Sequence, residues 1–206
     1  MGPFPDEVHS AQTIIIMGPP MTGEARLFHS ILATRGAQRL VISAGQTAET
    51  FRTAHHDIAG DTGTVRIVDC LSAGQEDTPP DDEHTRYVDG PGNLTAIGVK
   101  ITEFLEAVKE GPDQVVVGVN SLSELLMHSG LDQSYQFIHI LAQQTAAADI
   151  PLIATMNAQG HDEQTVNAMQ SRFECFVETR TTESTNEYRV RTKTNEPTAW
   201  KTLSHD

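Results

Sequence analysis

Cysteine is nearly absent from this chain, with two among 206 residues, Cys70 and Cys175. Two cysteines do not make a disulfide framework, and both sit in or beside apolar runs, so buried thiols are expected. No stretch approaches the roughly 18 apolar residues of a membrane span, which excludes a transmembrane helix. The start, MGPFPDEVHS, has no basic region followed by a long apolar one. It therefore does not read as a secretory signal. Gly2 is followed by PFPD and lacks the Ser or Thr of a myristoylation motif. Lysine is scarce, and the basic set is mostly arginine. There is no basic patch interleaved with aromatics of the kind that binds nucleic-acid phosphates. These absences predict a soluble, cytoplasmic protein with neither a membrane nor a nucleic-acid partner.

What is plentiful is acid, together with threonine and alanine. The net charge is -14. This balance resembles that of proteins from extreme halophiles, whose acidic surfaces keep them soluble in concentrated salt. At 1 M salt the Debye length is about 3 Å, which screens the self-repulsion of such a chain. An ordinary acidic mesophile protein is the alternative. The length suits one domain with a sizeable core.

Five short apolar runs alternate with helical patterns. Residues 13–17, 40–43, 65–68, 114–119 and 151–156 read as strands, and the fourth is apolar enough to be central. Helical spacing predicts helices over 24–34, 48–56, 94–109, 121–127, 134–148 and 162–169, with a break at Gly130. Strands alternating with helices imply α/β architecture: a three-layer fold, its central sheet mainly parallel, with helices on both faces. The strand C-terminal ends then share one edge, where such a sheet builds its site. Residues 173–182 and 187–193 read as a C-terminal antiparallel β-hairpin. The expected organisation is an N-terminal extension over 1–12, one domain over 13–194 and a tail over 195–206 that Trp200 docks on the body. The acidic, Pro-rich connection 72–92 is expected to be a flexible loop.

The stretch TIIIMGPPMTGEARLF carries the first functional signal. Gly18-x-x-x-x-Gly23 is the frame of a phosphate-binding P-loop, G-x-x-x-x-G-K-[ST]. Such a loop surrounds phosphate with backbone N–H groups, neutralises it with the lysine and holds Mg²⁺ on the hydroxyl. The frame here is Gly18, Pro19, Pro20, Met21, Thr22, Gly23, Glu24, Ala25. Glu24 stands at the lysine position and Ala25 at the Ser/Thr position. A unit charge pair at 4 Å is worth about 4 kcal/mol at an effective dielectric of 20. Glu for Lys removes that attraction, and Ala25 cannot bind a metal. A carboxylate in a first helical turn offsets the helix dipole by about 0.3–1 kcal/mol, so Glu24 suits an empty loop. Arg26 lies about 200° round the helix from the lysine position and reads as a surface residue.

Two further positions lack the chemistry of a nucleotide site. In VVVGVNSLSELL, Asn120 occupies the place of the acid that holds Mg²⁺ through water. Ser121-x-x-Glu124 reads as a capping box, a local role that leaves neither residue catalytic. At the end of the second strand, VISAGQTAE, Ala44 and Gly45 are inert where a base is expected, and Gln46 only orients a water.

These segments, with LVISAGQTAE and HDEQTVNAMQSRFECFVETR, resemble the RecA/KaiC-like P-loop ATPase superfamily. The likeness is to halophilic archaeal proteins related to KaiC, GvpD and RadA. It spans roughly residues 13–200 and implies a RecA-like core with a C-terminal β-hairpin. It aligns the loop 18–25 with the Walker A motif and Asn120 with the Walker B acid, and Glu24, Ala25 and Asn120 depart from both. The expectation is a pseudo-ATPase with a regulatory, signalling or scaffolding role through protein contacts, its nucleotide hydrolysis lost. Its partner would be a second copy or a true ATPase relative. No catalytic residue and no cofactor are expected, ATP being the one candidate ligand. A divergent ATP-binding ATPase is the alternative, and a DNA-associated recombinase-like accessory protein the second.

The nine histidines give no metal motif. His55 and His56 adjoin on a helix and point apart, and His161-Asp162-Glu163 reads as a helix start. None has H-E-x-x-H or Cys/His zinc spacing. Ser123, His128 and Asp132 supply triad residue types without a nucleophile elbow.

Overall fold

The computed structural model describes residues 4–60, 63–73, 79–108, 111, 113–183 and 185–203. Six apolar runs build the parallel body of the sheet: β1 (Thr13–Gly18), β2 (Gln38–Ser43), β3 (Thr64–Asp69), β5 (Val115–Asn120), β6 (Leu152–Asn157) and β7 (Cys175–Thr181). A three-residue strand, β4 (Thr85–Tyr87), joins one edge in parallel. At the other edge, β8 (Asn186–Thr192) pairs antiparallel with β7, and β9 (Lys201–Thr202) pairs antiparallel with β8. The order across the sheet is β4-β3-β2-β5-β6-β1-β7-β8-β9.

Successive strand residues point to opposite faces, and the core divides accordingly. Ile14, Ile16, Val41 and Ile67 meet α1 (Asp6–Ser10), α2 (Glu24–Arg35) and α3 (Ala48–Ala59) on one face. Ile15, Met17, Ile42 and Val119 meet α4 (Leu94–Val108), α5 (Leu122–Ala147) and α6 (Glu163–Gln170) on the other. The result is a three-layer α/β fold with a mainly parallel sheet and a C-terminal antiparallel hairpin. The hairpin alternates as its sequence does, with Tyr188 and Val190 buried and Arg189 and Arg191 half-buried on the opposite side.

Two expectations are corrected, the loop over 72–92 and the capping box at Ser121. The connection over 72–92 is not a flexible loop throughout: Thr85 and Val88 are buried, and β4 extends the sheet. Its acids bond the protein itself. Asp82 accepts from the N–H groups of His84 and Thr85 (2.6 and 2.7 Å), and Asp81 accepts from Tyr87 N–H (2.8 Å) and the Lys100 ammonium (2.7 Å). Residues 74–78 of this connection lie outside the described residues. The N-terminal extension is packed, with Phe4 and Val8 buried and the Phe4 ring edge-on to Tyr188 of β8. The break expected at Gly130 is present: within the span of α5 this residue has φ 77° and ψ 172°, outside the helical region, so two helical segments meet there at a kink. Ser121 precedes α5 but makes no side-chain cap bond, so the capping box does not form. The α6 start does form its cap: Asp162 accepts from Thr165 N–H at 2.9 Å.

Candidate functional site

Register places the strand C-terminal ends in a row. Asp69 and Asn120 flank Ser43, and Gly18 faces Asn157. The loop 18–25 leaves this edge from β1 and enters α2, where the sequence frame expects it.

The loop is closed on itself. Glu24 folds back so that Oε2 accepts from the Thr22 backbone N–H at 3.1 Å and lies 3.2 Å from the Thr22 hydroxyl. Pro19 and Pro20 have no N–H to offer. The Thr22 hydroxyl is buried, 2.7 Å from the Pro19 carbonyl oxygen and 2.5 Å from Oγ1 of Thr179 on β7. Met21 forms the tip, 91% exposed, at φ 67°. Its carbonyl accepts from the Asn186 side-chain amide at 3.1 Å. A phosphate in this loop would meet the Glu24 carboxylate where an N–H cradle is required. The residues present do not fit that group.

Both frame glycines answer to the protein's own packing. A Cβ on Gly18 would lie 1.8 Å from Thr179 Oγ1 and 2.9 Å from the Thr179 carbonyl oxygen. Gly23 holds φ 99°, the left-handed region that favours glycine, and a Cβ there would lie 2.5 Å from a Leu203 methyl. Ala25 is exposed at the start of α2.

Asn120 is likewise engaged internally. Its backbone carbonyl accepts from the N–H groups of Ala44 and Gly45 (2.6 and 3.1 Å), and its Oδ1 accepts from the Thr155 hydroxyl at 3.2 Å. The structure thus joins Asn120 to the second-strand turn flagged from sequence. The Ser43 hydroxyl donates to Gln46 O at 2.5 Å and closes that turn.

Three groups were missed. Asp69 is 1% exposed at the end of β3. Its carboxylate accepts from the N–H groups of Ala48 (2.7 Å), Leu71 (2.8 Å) and Ser72 (2.9 Å) and from the Ser72 hydroxyl (2.7 Å). It is a fully occupied tie between β3 and the first turn of α3. Thr179 and Leu203 reach the loop from far along the chain, which no local pattern signals. Ser123 pairs with neither triad residue weighed for it: its hydroxyl accepts from Asn157 N–H and lies 3.0 Å from His161 Nε2.

A buried histidine pair lies between α2 and α3. His29 of α2 and His55 of α3 touch through their Nδ1 atoms at 3.1 Å, 1% and 3% exposed among Phe28 and Phe51. Burial lowers the His29 pKa to about 4. Burial, and then the charges of His29 and Arg39, lower that of His55 to about 4. His56 is exposed. Both thiols are buried and free, and burial raises each to about 12, so neither is a nucleophile. Among the described residues no three His, Cys, Asp or Glu side chains gather to hold a metal ion. Among the described residues no helix is long and apolar enough to cross a membrane.

The sequence pattern of the family of unknown function DUF7504 matches residues 11–179. This chain belongs to that family. A comparison with curated proteins finds no match. Solved structures share the fold. The uncharacterized protein PH0321 from Pyrococcus horikoshii, in complex with an unknown peptide, aligns with TM-score 0.62 and 10% identity, over 95% of this chain and 94% of that one. The flagellar accessory protein FlaH from Methanocaldococcus jannaschii aligns with TM-score 0.50 and 16% identity, over 88% and 77%. At these identities the likeness is one of fold, and that fold is RecA-like.

Proposed function

We propose that this DUF7504 chain is a RecA/KaiC-like domain that does not hydrolyse nucleotide and acts through protein contacts, in a regulatory or scaffolding role. One observation carries the reading: the Glu24 carboxylate takes the Thr22 N–H of its own loop. The loop then needs no phosphate to satisfy it. Ala25 gives no metal-binding hydroxyl, and Asn120 engages its backbone carbonyl with Ala44 and Gly45 and its side-chain oxygen with Thr155. The site of a nucleotide enzyme has become a set of internal ties. Two features of the structural neighbours accord with a protein-contact role: one is an accessory protein, and the other carries a peptide. The acidic balance, net charge -14, fits a cytoplasm of concentrated salt.

The test is ATP turnover by the pure protein in molar KCl with Mg²⁺. No turnover is expected, and neither a heat signal nor a melting shift on titrating ATP. Magnesium-dependent turnover abolished by Gly23→Val would overturn the reading. Glu24→Lys with Ala25→Thr is expected to leave turnover at background, because Asn120 and the Ala44–Gly45 turn are unchanged.

A further inference from the structure

The end of the described chain forms a clip over one edge of the sheet. After β8 it turns and runs back along that strand's outer edge. Thr198 N–H donates to Val190 O at 2.8 Å, and Val190 N–H donates to Thr198 Oγ1 at 3.0 Å. Lys201 pairs with Tyr188 and Thr202 with Glu187, and Leu203 N–H donates to Asn186 O at 2.8 Å. Trp200 and Leu203 are three positions apart, and an odd spacing in extended chain puts side chains on opposite faces. The Trp200 ring packs against the guanidiniums of Arg180 and Arg189, 4.0 and 4.7 Å from its centroid. Leu203, 3% exposed, enters the core beside Tyr188 and Val190 and touches the Gly23 position of the loop. The two anchors grip the edge from both sides.

The backbone part of the clip is slight. The strand β9 has two residues, both exposed, against seven in β8. A pairing that short has little stability of its own, and such segments open first.

We propose that the clip exchanges between copies: the β8 edge of one chain accepts the 198–203 arm of a second, joining the two by strand addition. The occupant follows from the fit already made. The edge takes an extended segment with an aromatic ring for Arg180 and Arg189 and an aliphatic side chain three positions on, beside Tyr188. Every copy carries both halves, so exchange repeats contacts that exist. The connection 193–197 is short and holds Pro197, and short hinges favour exchange. Within one chain the tether supplies an effective concentration in the millimolar range, so intact chains close on themselves when dilute. The net charge of -14 also opposes approach until salt screens it. The proposal gives the protein-contact reading above one interface and rests on that half of it alone.

Two full-length variants test it in molar KCl at micromolar concentration. Trp200→Ala with Leu203→Ala has an intact edge, a disabled arm and no tryptophan, because Trp200 is the chain's single one. Arg180→Ala with Arg189→Ala keeps its arm but weakens its own edge. Mixing them is expected to give a two-chain species by sedimentation that neither forms alone, and to shift Trp200 emission to the blue. Single-chain sedimentation with unchanged emission, both variants keeping native circular dichroism, would overturn the exchange. If the first variant loses its fold, Trp200→Ala alone replaces it, read by the same shift. A negative result removes the clip interface and leaves the loop reading standing, whereas ATP turnover by the wild type does the reverse.

Discussion

Two carboxylates close two turns at the same end of the sheet. Glu24 is half-exposed and accepts from a backbone N–H two residues earlier in its own loop. Asp69 is buried and accepts from four donors, one of them 21 residues away on α3. Only Glu24 sits in a recognisable motif, yet Asp69 holds more of the structure. A motif marks where chemistry would be expected. The number of buried donors a group serves measures what the fold loses without it.

The largest expected effect lies at Asp69. Asp69→Ala leaves the Ala48, Leu71 and Ser72 N–H groups without their acceptor, and should cost on the order of 3–5 kcal/mol in urea unfolding. Asp69→Asn keeps one acceptor and should cost about half as much. If Asp69→Ala costs no more than Glu24→Ala, the contrast between the two turns is lost.

Next comes the histidine pair that joins α2, begun by Glu24, to α3, tied by Asp69. Both histidines are held below their ordinary value, at about 4 rather than 6.5. Between those pH values the unfolded chain binds more protons than the folded one, so stability rises with pH across the window. The contribution is complete above about 6.5 and lost as pH falls towards 4, on the order of a few kcal/mol. Denaturation at stepped pH should show that slope, and His55→Phe should flatten it. An unchanged slope in the variant would assign acid sensitivity to other groups.

Gly18→Ala should cost about 2–3 kcal/mol, since its methyl group meets Thr179. Adding Thr179→Ala should recover part of that loss through relief of the hydroxyl contact, the remainder reflecting the carbonyl oxygen. A loss that Thr179→Ala does not touch would return Gly18 to a role in the loop alone. Glu24→Gln should be smallest, under about 1 kcal/mol, because the group is half-exposed and its amide oxygen still accepts. Melting temperature is enough to rank it against the others.

Much of the fold was legible. The apolar runs of β1, β2, β3, β5 and β6 and the alternation of the C-terminal hairpin are local signals, and they gave the layers and the parallel body. The short strand β4 was not, because three residues carry no period and the acids around it read as solvated. The capping box at Ser121 was legible but wrong: its spacing matches, yet the Ser121 side chain makes no cap bond. Of the candidate site, the frame 18–25 and Asn120 are readings of the sequence, and the structure adds the internal partners of Glu24 and Asn120. Asp69 is one acid among 28 Asp and Glu, and nothing local distinguishes it.

By itself the sequence determined most of the order of strands and helices, the loop frame and the residue types at positions 24, 25 and 120. These are matters of residue type and short spacing. Only the tertiary structure decided what those residues do. Glu24 turns inward, Gly18 makes room for a threonine from β7, Gly23 for a leucine from the C-terminal arm, and Asp69 serves a helix it does not belong to. Each depends on partners brought together by sheet pairing, and pairing between distant segments leaves no periodic trace in the chain.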